Sequence, residues 1–177
     1  MIRYRAIPDE SRFEAELQSN LHPIHARASG IYGFIEATVS PEGHIDTASP
    51  HRAQLALWVE DIDSGHELRD VEMLRRLGAK AHPTIEWAVT RVWPRGDGRY
   101  RSRSLVMARG RSRSIDSDFI ISVNGQRMVV EGEHVFDMRD FGIVPPRFFW
   151  LWMEPQMTVR VRVVARQVTV AADRPPA

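Results

Sequence analysis

The sequence predicts an all-β protein, an antiparallel barrel or sandwich of roughly eight or nine short strands with one embedded helix. Three observations carry this. Apolar and polar residues alternate with period two through most of the chain. Turn-forming pairs, Asn124-Gly125 foremost, separate the alternating runs. One segment alone, Ser64 to Ala79, repeats its apolar residues at three and four.

The elements follow in order. Ser11 to Ser19 sets Phe13, Ala15 and Leu17 against Arg12, Glu14, Glu16 and Gln18, the pattern of a half-buried strand. After Gly30, Ile31 to Val39 places Ile31, Ile35 and Val39 on one face and Tyr32, Phe34, Glu36 and Thr38 on the other, and Pro41-Glu42-Gly43 turns the chain. Gln54 to Asp61 directs Leu55, Leu57 and Val59 one way, and Thr84 to Trp93 does the same with Ile85, Trp87, Val89 and Trp93. Between them Leu68, Val71, Met73, Leu74 and Leu77 make a helix of about three turns, with Ser64 as its cap and Gly78 as its stop. Two strands lie between Arg99 and Asn124, broken near Gly110. Gln126 to Met138 then carries Met128, Val130, His134, Phe136 and Met138 on one side. The last strand, Met157 to Val170, slips phase at Val163-Val164, which predicts an inserted bulge residue there. The aromatic run Phe148 to Met153 fits no period, and Asp173 to Ala177 reads as a loose tail on a single domain spanning residues 1–177.

Composition excludes several classes. With 177 residues, 43% hydrophobic and 27% charged, the chain is neither disordered nor fibrous. Having no cysteine, it lacks disulfides, thiolate zinc sites and thiol nucleophiles. The seven histidines are scattered, and no metal or other cofactor is expected. The carboxylate pairs Asp61/Asp63 and Glu131/Glu133 read as solvated strand faces, and no nucleophile elbow is present, so no catalytic residue is assigned. Formal net charge is only +1, giving no general pull on nucleic acid. The exception is local: Arg95 to Arg113 holds seven arginines and a single acid, Asp97. Its apolar centre, Leu105 to Ala108, favours exposed strand ends with arginines outward over a nucleic-acid segment. Arg95-Gly96-Asp97, flanked by Pro94 and Gly98, reads as a turn.

Three segments in matching order carry a resemblance. Asp63 to Leu74, DSGHELRDVEML, is similar to the helix motif of the YceI-like family of lipocalin-like polyisoprenoid-binding proteins, through Asp63, Gly65, Arg69, Asp70 and Leu74. His82 to Trp87 resembles the family's Tyr-Pro-Thr-Ile strand opening, and Met138 to Ile143 its Arg-x-Asp-Phe-Gly segment. The chain departs from the family pattern at Arg75 to Ala81, where aromatic residues are usual, and at Ala108-Arg109-Gly110.

The resemblance implies an extended antiparallel lipocalin-like β-barrel of about eight strands, with one short helix and an apolar tunnel for an isoprenoid or other long amphiphilic lipid. On that reading the protein is a carrier rather than an enzyme. The lining is expected from the inward faces: Phe13, Leu17, Ile31, Ile35, Leu57, Ile85, Trp87, Val89, Ile121, Val130 and Phe136. A pyrophosphate headgroup would meet Arg69, Arg109 or Arg139, unless these pair with Asp70 or Asp140. The alternative is a module that docks on a membrane or a protein through Phe148, Phe149, Trp150 and Trp152 and the arginine strip 95–113, or that forms a homodimer. Residues Met1 to Asp9 carry no apolar leader, which predicts a cytoplasmic location.

Overall fold

The alternating segments form one sheet that closes on itself. The computed structural model describes residues 1–148 and 150–169, so Phe149 and the tail expected at 173–177 lie outside the described residues. The strands are β1 (Ile2–Ala6), β2 (Arg12–Ser19), β3 (Ile24–Ser29), β4 (Tyr32–Ala37), β5 (Arg52–Trp58), β6 (Thr84–Gly96), β7 (Arg99–Ala108), β8 (Arg111–Asn124), β9 (Arg127–Asp137), β10 (Arg147–Phe148) and β11 (Leu151–Val168). Helix α1 (Glu67–Leu77) joins β5 to β6. Neighbours run β1-β4-β5-β6-β7-β8-β9-β11, and β11 pairs back onto β1, so eight antiparallel strands make a closed barrel. Strands β2 and β3 extend the wall from the free edge of β11.

The long β11 organises the circuit. One edge pairs with β9 from Gln156 to Arg166. The other pairs with β2 as far as Arg162 and with β1 from Ala165 onward. The changeover falls at Val163-Val164, and it corrects the expected bulge: the register against β9 passes through unbroken, Val163 opposite Val130 and Val164 opposite Val129. Both valines are buried because Val163 faces the barrel interior while Ser11 covers Val164. The Val164 N–H donates to Ser11 Oγ at 3.0 Å, and that hydroxyl donates to the Ile7 carbonyl at 2.9 Å. The irregularity lies instead against β2, between Met153 and Met157, around Pro155, which has no N–H for the ladder.

Three strands were not anticipated from the periodicity: β1, β3 and the two-residue β10. Strands β1 and β3 are short, and β3 alternates only Ile24, Ala26 and Ala28, small side chains that leave a weak apolar signal. The β3 edge is held by Asp63, whose backbone exchanges two hydrogen bonds with Arg27 at 2.8 and 2.9 Å. The helix starts later than expected. Ser64 does not cap it; the Asp70 carboxylate reaches back instead, accepting from the Ser64 N–H at 2.9 Å and its Oγ at 2.6 Å. Gly78 ends the helix at φ +69°, as expected. Met73, Leu74 and Leu77 pack on the barrel, whereas Leu68 and Val71 stay exposed.

The two barrel ends differ. One is closed by residues 38–51, where Ile45 is buried and its N–H donates to the Tyr100 hydroxyl at 2.9 Å. The other carries α1, the β2–β3 turn, and residues 138–148. On the outer wall of β7, Arg103 is paired in two places to Asp116 and Arg101 faces Asp118, so cross-strand acids pair with two of the strip's seven arginines.

Candidate functional site: a two-chambered apolar cavity

At the end that carries the helix, the barrel holds an outer chamber of about 440 Å³. Its walls come from β2 (Phe13, Ala15, Leu17), β3 (Ile24, Ala26), the inner face of α1 (Met73, Leu77), and the methionines Met138, Met153 and Met157. Alanines on β2 and β3 explain the space, because Ala15 and Ala26 are paired across the sheet and neither fills the volume above it. Methionine suits the remaining walls, since its unbranched thioether adapts to different tail shapes. Charged groups at this chamber are arranged around its helix side. Glu72 is bound by Arg75 and Arg76, and the Arg75 hydrogen bond leads in drawing its carboxyl down to about 2. Arg76 also donates to the Val144 carbonyl at 2.8 Å, tying the helix to the 143–146 segment.

Deeper in the barrel is an inner chamber of about 130 Å³, lined by Trp87, Val89, Ile115, Val130 and Phe136 together with the hydroxyls of Ser102, Ser104 and Ser117. The chambers adjoin where Phe13, on the outer one, meets Trp87, on the inner one, with ring centroids 6.4 Å apart. His134 also faces the inner chamber, its ring edge-on to Phe136 at 4.6 Å, and burial pushes its pKa down.

The lining expected from the sequence is thus distributed over three places. Phe13, Leu17 and Ile85 line the outer chamber. Ile31, Trp87, Val89, Val130 and Phe136 line the inner one. Ile35, Leu57 and Ile121 are buried core and line neither chamber. Of the headgroup candidates, Arg69 stands at the outer chamber. Arg109 sits beside Gly78 and donates to the Gly142 carbonyl. Arg139 is exposed and doubly bonded to Asp137, not to Asp140, at 2.9 and 2.5 Å. The three serines went unnoticed in the sequence, although their signal is there: inward positions 100, 102, 104, 106 and 108 of β7 read Tyr, Ser, Ser, Val, Ala. Among the described residues no cluster of side chains suited to a metal ion occurs.

Exposed apolar side chains gather on the rim of this end. Leu21 and Leu68 border the outer chamber and are 60 and 78% exposed, and Val144, Trp150 and Trp152, 69, 74 and 45% exposed, stand on adjoining segments. Asn20 holds two of these segments together: its side chain donates to the Trp150 carbonyl at 2.7 Å and accepts from the Trp152 N–H at 2.9 Å. Strand β10 pairs with β11 here, Arg147 opposite Trp152.

A closed eight-stranded antiparallel barrel with two added strands and one short helix is a lipocalin-like architecture. More particularly, the chain has the fold of YceI proteins. It is similar to Burkholderia cenocepacia BcnA, at a TM-score of 0.74 and 13% identity over 90% of this chain and 98% of that one. A polyisoprenoid binding domain from Saccharophagus degradans, implicated in plant cell wall breakdown, matches at a TM-score of 0.72 and 12% identity over 95% of this chain and all of that one. The Campylobacter jejuni YceI protein matches at 0.65 and 11% over 81% and 85%. No protein-family model and no curated protein sequence matches the chain.

Proposed function

We propose that the protein binds and carries an isoprenoid or similar long-chain lipid, without turnover, in the outer chamber. The observation that carries this reading is the chamber itself: about 440 Å³ of mainly apolar lining left open inside a barrel whose far end is closed. A core built only for stability would be filled to native density. The Saccharophagus degradans neighbour is a polyisoprenoid binding domain, which supports the same chemistry. Burying a tail there is worth roughly 0.8 kcal/mol per methylene, so two or three isoprene units supply the affinity of a useful carrier.

The exposed rim supports contact with a membrane rather than an electrostatic docking module. Tryptophans suit the bilayer interface, and Trp150 and Trp152 stand exposed on segments next to the chamber-lining Leu151 and Met153. Two of the seven arginines of the strip, Arg101 and Arg103, are already paired with Asp118 and Asp116. The test is transfer of a labelled polyprenol between phosphatidylcholine vesicles. Native protein should accelerate it and Val144→Glu/Trp152→Ala should not, while both still bind the lipid in detergent. Equal transfer by both would remove the membrane contact, and no binding in detergent would remove the carrier reading.

A further inference from the structure

The inner chamber contains a polar island in an apolar wall. Ser102 and Ser104 are 3 and 5% exposed, and both face inward from β7. Ser117 joins them from β8, directly opposite Ser102 in the ladder. Among the described residues the hydroxyls hydrogen-bond only with one another, Ser102 Oγ to Ser104 Oγ at 3.3 Å and Ser102 Oγ to Ser117 Oγ at 3.4 Å. Two long contacts shared by three hydroxyls leave at least one O–H donor and most of the lone pairs directed at the chamber. Such groups are costly in an apolar interior, and alanine or valine would fill the same inward positions without that cost.

We propose that Ser102, Ser104 and Ser117, with His134, form the seat of an uncharged oxygen headgroup, a hydroxyl or a carbonyl, so that the lipid lies head inward with its tail in the outer chamber. This rests on the lipid-binding reading above. The chamber offers nothing to an anionic head. Among the described residues no arginine or lysine lines it, and the carboxylates of the bordering Asp118 and Glu133 face the opposite side of the sheet, beside Arg101 and Arg160. A phosphate there would meet no cation to offset its desolvation. The neutral His134 ring provides one donor and one acceptor, and a hydroxyl or carbonyl is matched by such groups without any charge to desolvate. The Phe13–Trp87 contact marks where head would give way to tail.

The test uses the delipidated full chain and three probes with the same prenyl tail: the alcohol, its monophosphate and the parent hydrocarbon. The seat predicts that the alcohol binds about tenfold more tightly than the hydrocarbon, the increment of one or two hydrogen bonds, and that the monophosphate binds more weakly than the alcohol. Ser102→Ala/Ser117→Ala should bring the alcohol down to the hydrocarbon's affinity and leave the hydrocarbon unchanged. The unchanged hydrocarbon shows that the variant is folded, and Ser104→Ala alone should give a smaller loss of the same kind. Equal binding of alcohol and hydrocarbon, tightest binding of the monophosphate, or alcohol binding indifferent to the serines would overturn the seat while the carrier reading stands. Failure of all three probes to bind would overturn both.

Discussion

Filling the outer chamber should exclude lipid without harming the barrel, and Ala15→Phe is the substitution that does it. Ala15 is buried on β2, opposite Val159 and Ala26, and its methyl faces the chamber. Phenylalanine adds a ring of about six carbons, close to the bulk of one isoprene unit, and so displaces about one unit of the tail. At roughly 0.8 kcal/mol per buried carbon the displaced unit is worth about 4 kcal/mol, a loss of affinity on the order of a thousandfold. The chamber has room for the ring, so the overpacking penalty of about 1–3 kcal/mol that a filled core would impose should not appear. The assay pairs equilibrium binding of a labelled prenol with thermal unfolding of the empty protein. Affinity should collapse while the unfolding midpoint holds or rises. If the variant binds prenol as well as the native protein, the tail does not occupy this chamber. If its midpoint falls as an overpacked core's would, the chamber is not open space.

Other outcomes follow from the same geometry. Gly33 lies inside β4 at φ +125°, and a Cβ there would sit 2.1 Å from the Gln54 carbonyl oxygen, so Gly33→Ala should lose about 3 kcal/mol or more in urea unfolding. A loss below about 1 kcal/mol would show that β4 and β5 can separate freely at this point. Ser11→Ala leaves the buried Val164 N–H without its partner and should cost about 1–3 kcal/mol by the same measurement; an unchanged midpoint would deny that Ser11 closes the changeover on β11. His134, whose folded pKa is lowered by burial, makes the unfolded chain bind more protons just below pH 6.5. Stability should therefore fall as pH drops from 7 through 6, and His134→Gln should flatten that part of the profile; a native protein that gains stability over this interval through His134 would contradict the assignment.

The period-two pattern made the barrel legible because each wall strand has one apolar face, and the strands from β4 to β9 follow that pattern closely. The pattern was weaker where alanine replaces larger residues, which is why β3 was missed, and one of those alanines, Ala26, lines the outer chamber. At Val163-Val164 a change of phase looked like an extra residue, yet it records a change of neighbour, with Ser11 covering one side and the barrel interior the other. Inward-facing residues could be listed from the sequence, but which of them fill the core and which line a space depends on closure of the sheet. Leu57 and Trp87 share the apolar phase; only the second borders a chamber. Arginine roles were least legible, because Arg109 and Arg139 are committed to partners set by the turn at Met138–Phe141. Serine at alternate positions of β7 was a visible signal, but its meaning required knowing which face turns inward.

The central claim is that the outer chamber holds a lipid tail. Its most direct test is native purification, organic extraction and mass spectrometry of the extract, with Ala15→Phe purified alongside. The account expects a prenyl-type lipid in stoichiometric amount from the native protein and little from the variant. An extract from native protein that stays empty after incubation with prenyl lipids, or one equally loaded in the variant, would contradict it.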